Sequence, residues 1–129
     1  MRTLRVGIAS YEQMKSRTIA IARGQYRPVA GEPKVWFTSA ESFARVLSDR
    51  NRALLGIIAK SAPESLTRLA ELTGRKKSNL SRTLKTMERY GFVLLTRGVR
   101  GSVIPRVPYQ RISLILPLSA PGREGSEAA

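Results

Sequence analysis

Neither cysteine nor histidine occurs among the 129 residues of this chain. Their absence excludes disulfides, Cys/His zinc sites, Cys–His nucleophile pairs and a histidine general base. Acids are scarce as well: the nine Asp and Glu are scattered, with no DxD, HExxH or paired-carboxylate cluster to hold a metal. No GxGxxG or GxxxxGK(S/T) loop is present to cradle a phosphate. No window approaches the ~20 apolar residues of a membrane span. The first ten residues, MRTLRVGIAS, contain no continuous apolar run and no small-residue cleavage site. A secretory signal is therefore not expected, and a cytoplasmic protein with no membrane partner is. Together these absences argue against an enzyme: no catalytic residue, no metal and no cofactor is expected.

What the chain does have is a hydrophobic content of 42%, enough to fill a core, and a net charge of +14. A cationic excess of that size suits a polyanionic partner, DNA or RNA, through counterion release. A generally basic composition, with seventeen Arg against six Lys, is the plainer alternative, and the distribution favours a binding surface over it. Between Arg75 and Arg111 there are ten Lys and Arg against one acid, Glu88, so 37 residues hold +9 of the charge.

The basic stretch opens in the segment from Ser65 to Gly91, SLTRLAELTGRKKSNLSRTLKTMERYG. Its spacing predicts two amphipathic helices joined by a turn at Thr73-Gly74-Arg75. Leu66, Leu69 and Ala70 share one face of the first, and Leu80, Leu84 and Met87 repeat at i, i+4, i+7 in the second. The second helix turns Lys77, Ser78, Ser81, Arg82, Lys85 and Arg89 the other way. Gly74 suits a left-handed helix end, Ala70 allows close helix packing, and Leu80 plugs the second helix into the core.

The flanking segments read as support. Residues 3–10 alternate as a strand with Leu4, Val6 and Ile8 on one side. A helix from Ser10 or Tyr11 follows, with Met14, Thr18, Ile21 and Ala22 on one face and Gly24 as its stop. Residues 25–33 form a loop, and 34–39 (KVWFTS) a short strand with Trp36 and Phe37 as core anchors. Thr38 and Glu41 fit a capping box for a helix carrying Phe43, Val46 and Leu47. Ser48-Asp49 opens the next helix, with Ala53, Leu54, Ile57 and Ile58 inward, ended by Ala62-Pro63. Arg50 and Arg52 flank that helix as solvated charge or phosphate contacts. After Gly91 the period falls to two: residues 92–96 and 102–105 form a hairpin. Its tip, residues 97–101, uses two glycines for positive φ and projects Arg97 and Arg100. A last strand, residues 111–116, sets Ile112, Leu114 and Leu116 on one side.

Three helices followed by a hairpin with a basic tip is the order of a winged helix-turn-helix. The expected class is α+β: a three-helix core plus β-hairpin wing, with an N-terminal strand–helix–strand extension and a C-terminal strand. Residues 1–47 form the extension, a strand–helix–strand–helix segment for dimerisation or partner contact. Residues 48–108 form the winged helix-turn-helix, 109–118 the C-terminal strand and 119–129 a disordered tail.

RKKSNLSRTLKTMERYGFVLLTRGVRG resembles the recognition helix and wing of MarR-like winged helix-turn-helix transcriptional regulators. With LRVGIASYEQMKSRTIAIARG and KVWFTSAESFARVLS, it is similar to small prokaryotic predicted DNA-binding regulators of the antitoxin (TumA) type. The resemblance covers residues 3–118. It implies a nucleoid-associated, homodimeric (auto)repressor of transcription that binds double-stranded DNA, and a cognate toxin protein as a further partner. Carried onto this chain, it assigns Lys76, Lys77, Ser78, Ser81, Arg82 and Lys85 to a recognition helix and Arg97 and Arg100 to a wing. Arg82 is expected to read guanine O6 and N7, assisted by Lys77 or Ser78. Lys76, Lys85, Arg97 and Arg100 are expected on phosphates or in the minor groove.

Two alternatives remain. One is an RNA-binding or ribosome-associated winged-helix protein, which stacking aromatics beside the cations would favour; the basic stretch offers only Tyr90, Phe92 and Tyr109, and the first two read as core with Met87. The other is a protein-interaction module that neutralises a toxin, with DNA binding secondary.

Overall fold

The computed structural model describes residues 2–118. The tail expected at 119–129 lies outside the described residues. The fold is α+β, and the chain divides into two compact units, one of residues 3–43 and 111–118, the other of residues 44–110 with Arg2.

The first unit is a three-stranded parallel sheet in the order β2-β1-β5. β1 (Thr3–Ile8) leads through α1 (Tyr11–Ala22) to β2 (Val35–Phe37), and β5 (Arg111–Ile115) returns from the far end of the chain. The register pairs Val6 with Val35 and Leu114, and Ile8 with Phe37. One face thus collects Leu4, Val6, Ile8 and Phe37, all buried, and Phe37 meets Phe43 edge-on at 5.4 Å. On the other face Gly7 makes room for Trp36: a Cβ there would lie 2.5 Å from Trp36 Cζ3.

Helix α1 starts with a reciprocal cap, Ser10 Oγ accepting from the Gln13 amide at 3.1 Å and Gln13 Oε1 from the Ser10 amide at 2.8 Å. Its sheltered side is not the expected one. Gln13, Met14, Arg17, Ala20 and Ile21 are half-buried, while Thr18 and Ala22 are exposed. Arg17 can occupy this side because Glu32 pairs with it at 3.1 Å and the rings of Tyr26 and Trp36 lie 5.8 and 5.7 Å from its Cζ. Glu32 also accepts from the Tyr26 hydroxyl and the Val29 amide. Burial works to raise the Glu32 pKa, but these hydrogen bonds and the charge of Arg17 outweigh it and hold the carboxyl below its usual 4.5.

Helix α2 (Ala40–Val46) carries the chain from one unit to the next. Its cap is shifted by one residue from the Thr38/Glu41 box. Ser39 Oγ accepts from the Ser42 amide at 3.0 Å, and the Ser42 hydroxyl donates back to the Ser39 carbonyl at 2.9 Å.

The second unit packs α3 (Asp49–Ser61), α4 (Leu66–Thr73) and α5 (Lys77–Arg89) with the antiparallel hairpin of β3 (Leu94–Arg97) and β4 (Val103–Arg106). Ser48 caps α3 and Ser65 caps α4. The buried stripe of α3 is Leu54, Leu55 and Ile58; Ala53 is exposed and Ile57 half-buried, a rotation of the expected face by one position. Leu66 and Leu69 from α4 and Leu80, Leu84 and Met87 from α5 complete the core, the last three fully buried. Both α3 and α4 end in the left-handed region, at Ala62 (φ 45) and Gly74 (φ 72), whose amides return to Ile58 and Ala70.

The hairpin also departs from expectation. Phe92 and Val93 precede the strand and are buried, because Gly91 (φ 83) turns the chain back and the Phe92 amide reaches the Met87 carbonyl at 3.0 Å. At the tip, Gly98 has a negative φ and the left-handed residues are Arg100 (φ 59) and Gly101 (φ 73). Gly98 is required for space instead, since a Cβ would lie 2.5 Å from Ile104 Cδ1. No helix among the described residues is long and apolar enough to cross a membrane.

Candidate nucleic-acid interface

Because α5 is pinned by Leu80, Leu84 and Met87, its 3.6-residue period fixes where every other side chain goes. Ser78, Arg82, Lys85 and Arg89 fall opposite the buried stripe, and all four are exposed. Lys77, the half-buried Ser81 and the exposed Glu88 flank them on one side, where Ser81 and Glu88 face the hairpin. Asn79, Thr83 and Thr86 flank them on the other and are half-buried. Lys76, the residue before the helix, is exposed and makes no side-chain cap, so the first amides of α5 lack the Ser cap that α1, α3 and α4 have.

Cations dominate this face, with Glu88 on its flank the one acid of α5. The ion pairs among the described residues are Arg17–Glu32, Arg52–Asp49 and Arg68–Glu71. None involves Lys76, Lys77, Arg82, Lys85, Arg97 or Arg100. Between α5 and the hairpin runs a cleft of about 190 Å³ lined by Ser81, Leu84, Lys85, Glu88, Thr96 and Arg97, among others. The face therefore brings together Lys77, Ser78, Ser81, Arg82 and Lys85, with Lys76 at its start and Arg97 across the cleft.

Not every basic residue is free to reach outward. Arg97 donates to the Gly101 carbonyl at 3.1 Å and so braces its own hairpin tip, while Arg100 is exposed. Arg106 bonds the carbonyls of Pro63 and Pro105, each at 2.7 Å, tying β4 to the loop after α3. Arg52 pairs with Asp49.

Arg75 is the residue whose role the sequence did not reveal. Its guanidinium folds back over α5 and holds Asn79 Oδ1 through two donors at 3.1 and 2.9 Å, with longer contacts to Asn51 Oδ1 and Thr83 Oγ1 at 3.4 Å. It thus braces the start of α5 against α3 with neutral acceptors only. Burial, then the charge of Arg50, lowers its pKa below the ordinary guanidinium value. The helical period could have placed Asn79 and Thr83 on one flank, but nothing local points to Asn51.

The exposed face of α5 is basic and makes no ion pair, and among the described residues no group of three or more His, Cys, Asp or Glu could hold a metal. The family model HVO_A0114 matches residues 46–114, and the chain belongs to that family. No curated protein and no solved structure matches it.

Proposed function

We propose that this chain is a sequence-specific DNA-binding transcriptional regulator, a dimeric (auto)repressor, and that α3–α5 with the β3–β4 hairpin act as a winged helix-turn-helix. One observation carries the reading. A 13-residue helix is anchored by three fully buried side chains and turns an exposed Ser78–Arg82–Lys85–Arg89 stripe outward, with no acid paired to it. A B-DNA major groove about 12 Å wide admits such a helix.

In this reading Arg82, central on the stripe and making no side-chain hydrogen bond, reads a base edge; Ser78 and Lys77 assist. Lys76, Lys85 and Arg100 hold phosphates, as do the uncapped first amides of α5 at the positive end of its dipole, while Arg97 stiffens the wing through its bond to the Gly101 carbonyl. The aromatic side chains beside the cations do not favour RNA: Phe92 is buried, and the ring of Tyr109 lies beneath Arg2 at 5.0 Å.

Selection from mixed pools of random duplex DNA and structured RNA tests the proposal. Duplexes sharing one motif are expected to be enriched, with log affinity falling against log salt by about 0.9 per phosphate neutralised. Enrichment of RNA, or of duplexes with no common motif, refutes it.

A further inference from the structure

We infer that the free edge of β5 is a homodimerisation surface, on which a second copy of the chain adds its own β5 antiparallel about Leu114. The inference deepens the regulator reading, since a dimer supplies two reading helices to one DNA site.

The sheet order leaves β5 as an outer strand, and past Arg111 at its start its edge has none of the usual protections. The opposite edge, β2, is three residues long and preceded by Pro33 and Lys34. From Ile112 to Leu118, by contrast, the chain has no charged residue, and its one proline, Pro117, lies beyond the strand. Val6 is 0% exposed, whereas Leu114, its partner in register on the same face, is 46% exposed and Leu116 is 58% exposed. The apolar face of the sheet therefore runs on past its last strand.

Hydrogen-bond direction makes the same edge available. The Ala9 amide donates to the Phe37 carbonyl, so the odd residues of β1 turn to β2 and the even ones to β5. With Thr3 opposite Arg111, the alternation of the ladder turns Arg111, Ser113 and Ile115 inward to β1. The amides and carbonyls of Ile112, Leu114 and Leu116 are then left at the open edge.

A second copy fits this edge better than an unrelated strand because the pattern is its own complement. Antiparallel pairing about a twofold at Leu114 sets Leu114 against the partner's Leu114 and Ile112 against the partner's Leu116. Arg111 falls opposite the partner's Pro117, which leaves the two Arg111 side chains about 20 Å apart along the strands, beyond the screening length of about 10 Å at 0.1 M salt. In a chain of net charge +14, an uncharged seven-residue stretch is where two copies can meet without like-charge repulsion.

The natural chain has no cysteine, so a single introduced thiol reports its own neighbourhood. In the full-length protein, Leu114→Cys is expected to form a covalent dimer on mild oxidation or with a short bismaleimide. Val99→Cys, 81% exposed at the hairpin tip, is expected to stay monomeric. Sedimentation is expected to show a dimer for the wild type and a monomer for Leu114→Lys with unchanged helical circular dichroism. A monomeric wild type overturns the inference. So does a dimer in which Leu114→Cys cross-links no faster than Val99→Cys, or capture by Leu114→Cys of a different polypeptide, such as a small toxin, in place of itself. Motif enrichment by a monomeric wild type would sink the dimer while leaving the DNA reading standing.

Discussion

Gly74 and Ala62 occupy the same left-handed position at the ends of α4 and α3, one with the residue that suits it and one without. Exchanging glycine and alanine should therefore move stability in opposite directions. At Gly74 a Cβ would meet nothing within 4 Å, so Gly74→Ala brings no clash and its effect comes from the backbone alone. A left-handed alanine costs about 1–2 kcal/mol, and the lower entropy of the unfolded alanine chain returns about 0.4–1. The net loss should be about 1 kcal/mol. Ala62 is exposed, holds φ 45 and precedes Pro63; Ala62→Gly should gain about 0.5–1 kcal/mol by the same arithmetic reversed. In urea denaturation followed by circular dichroism, these are midpoint shifts of opposite sign with unchanged m values. In thermal melts they amount to about 3–5 °C each. Shifts of the same sign, or a loss of several kcal/mol at Gly74, would refute the assignment of both positions to backbone conformation.

The acid limb of stability should trace to Glu32. Its folded pKa is depressed, so its contribution is complete above the usual 4.5 and is lost as pH falls through the lower folded value. Glu32→Gln should therefore flatten stability against pH in that window. At neutral pH it should cost about 2 kcal/mol, less than the about 3–5 of a fully buried pair, because Arg17 and Glu32 keep 14% and 17% of their side-chain exposure. An unchanged acid limb in denaturation at pH 3–5 would contradict this. Gly7→Ala should lose about 1–3 kcal/mol by forcing Trp36 Cζ3 and Pro33 Cγ away from a Cβ at 2.5 and 3.0 Å. A fluorescence spectrum and stability unchanged from the wild type would show that Trp36 does not pack there.

The helix pair from Ser65 to Gly91 was legible because its signals are local. Leucine spacing fixes which face is buried, and a left-handed glycine between two such runs fixes the turn. Where neighbouring residues offer equivalent chemistry, the pattern locates a feature only to within a residue. Ser39 caps α2 in place of Thr38, and Leu55 takes the place of Ala53 in the stripe of α3. Contacts between distant segments leave no local trace. Arg75 reaches Asn51 across 24 residues, Arg106 reaches Pro63 across 43, and Arg111 lies opposite Thr3 across 108. Charge counting treated Arg75, Arg106 and Arg82 alike, yet the structure uses the first two as braces and leaves the third exposed without a side-chain bond. Arg17 is illegible in the sequence for the converse reason: a cation in an apolar period looks misplaced until Glu32, Tyr26 and Trp36 close around it.

Base reading by α5 is tested most directly by repeating the duplex selection with Arg82→Ala beside the wild type. The account predicts that the wild type enriches one motif and that Arg82→Ala loses the preference at a single position of each half-site, at a cost of about 1–3 kcal/mol on the best duplex. An Arg82→Ala protein that enriches the same motif with undiminished preference at every position would contradict it.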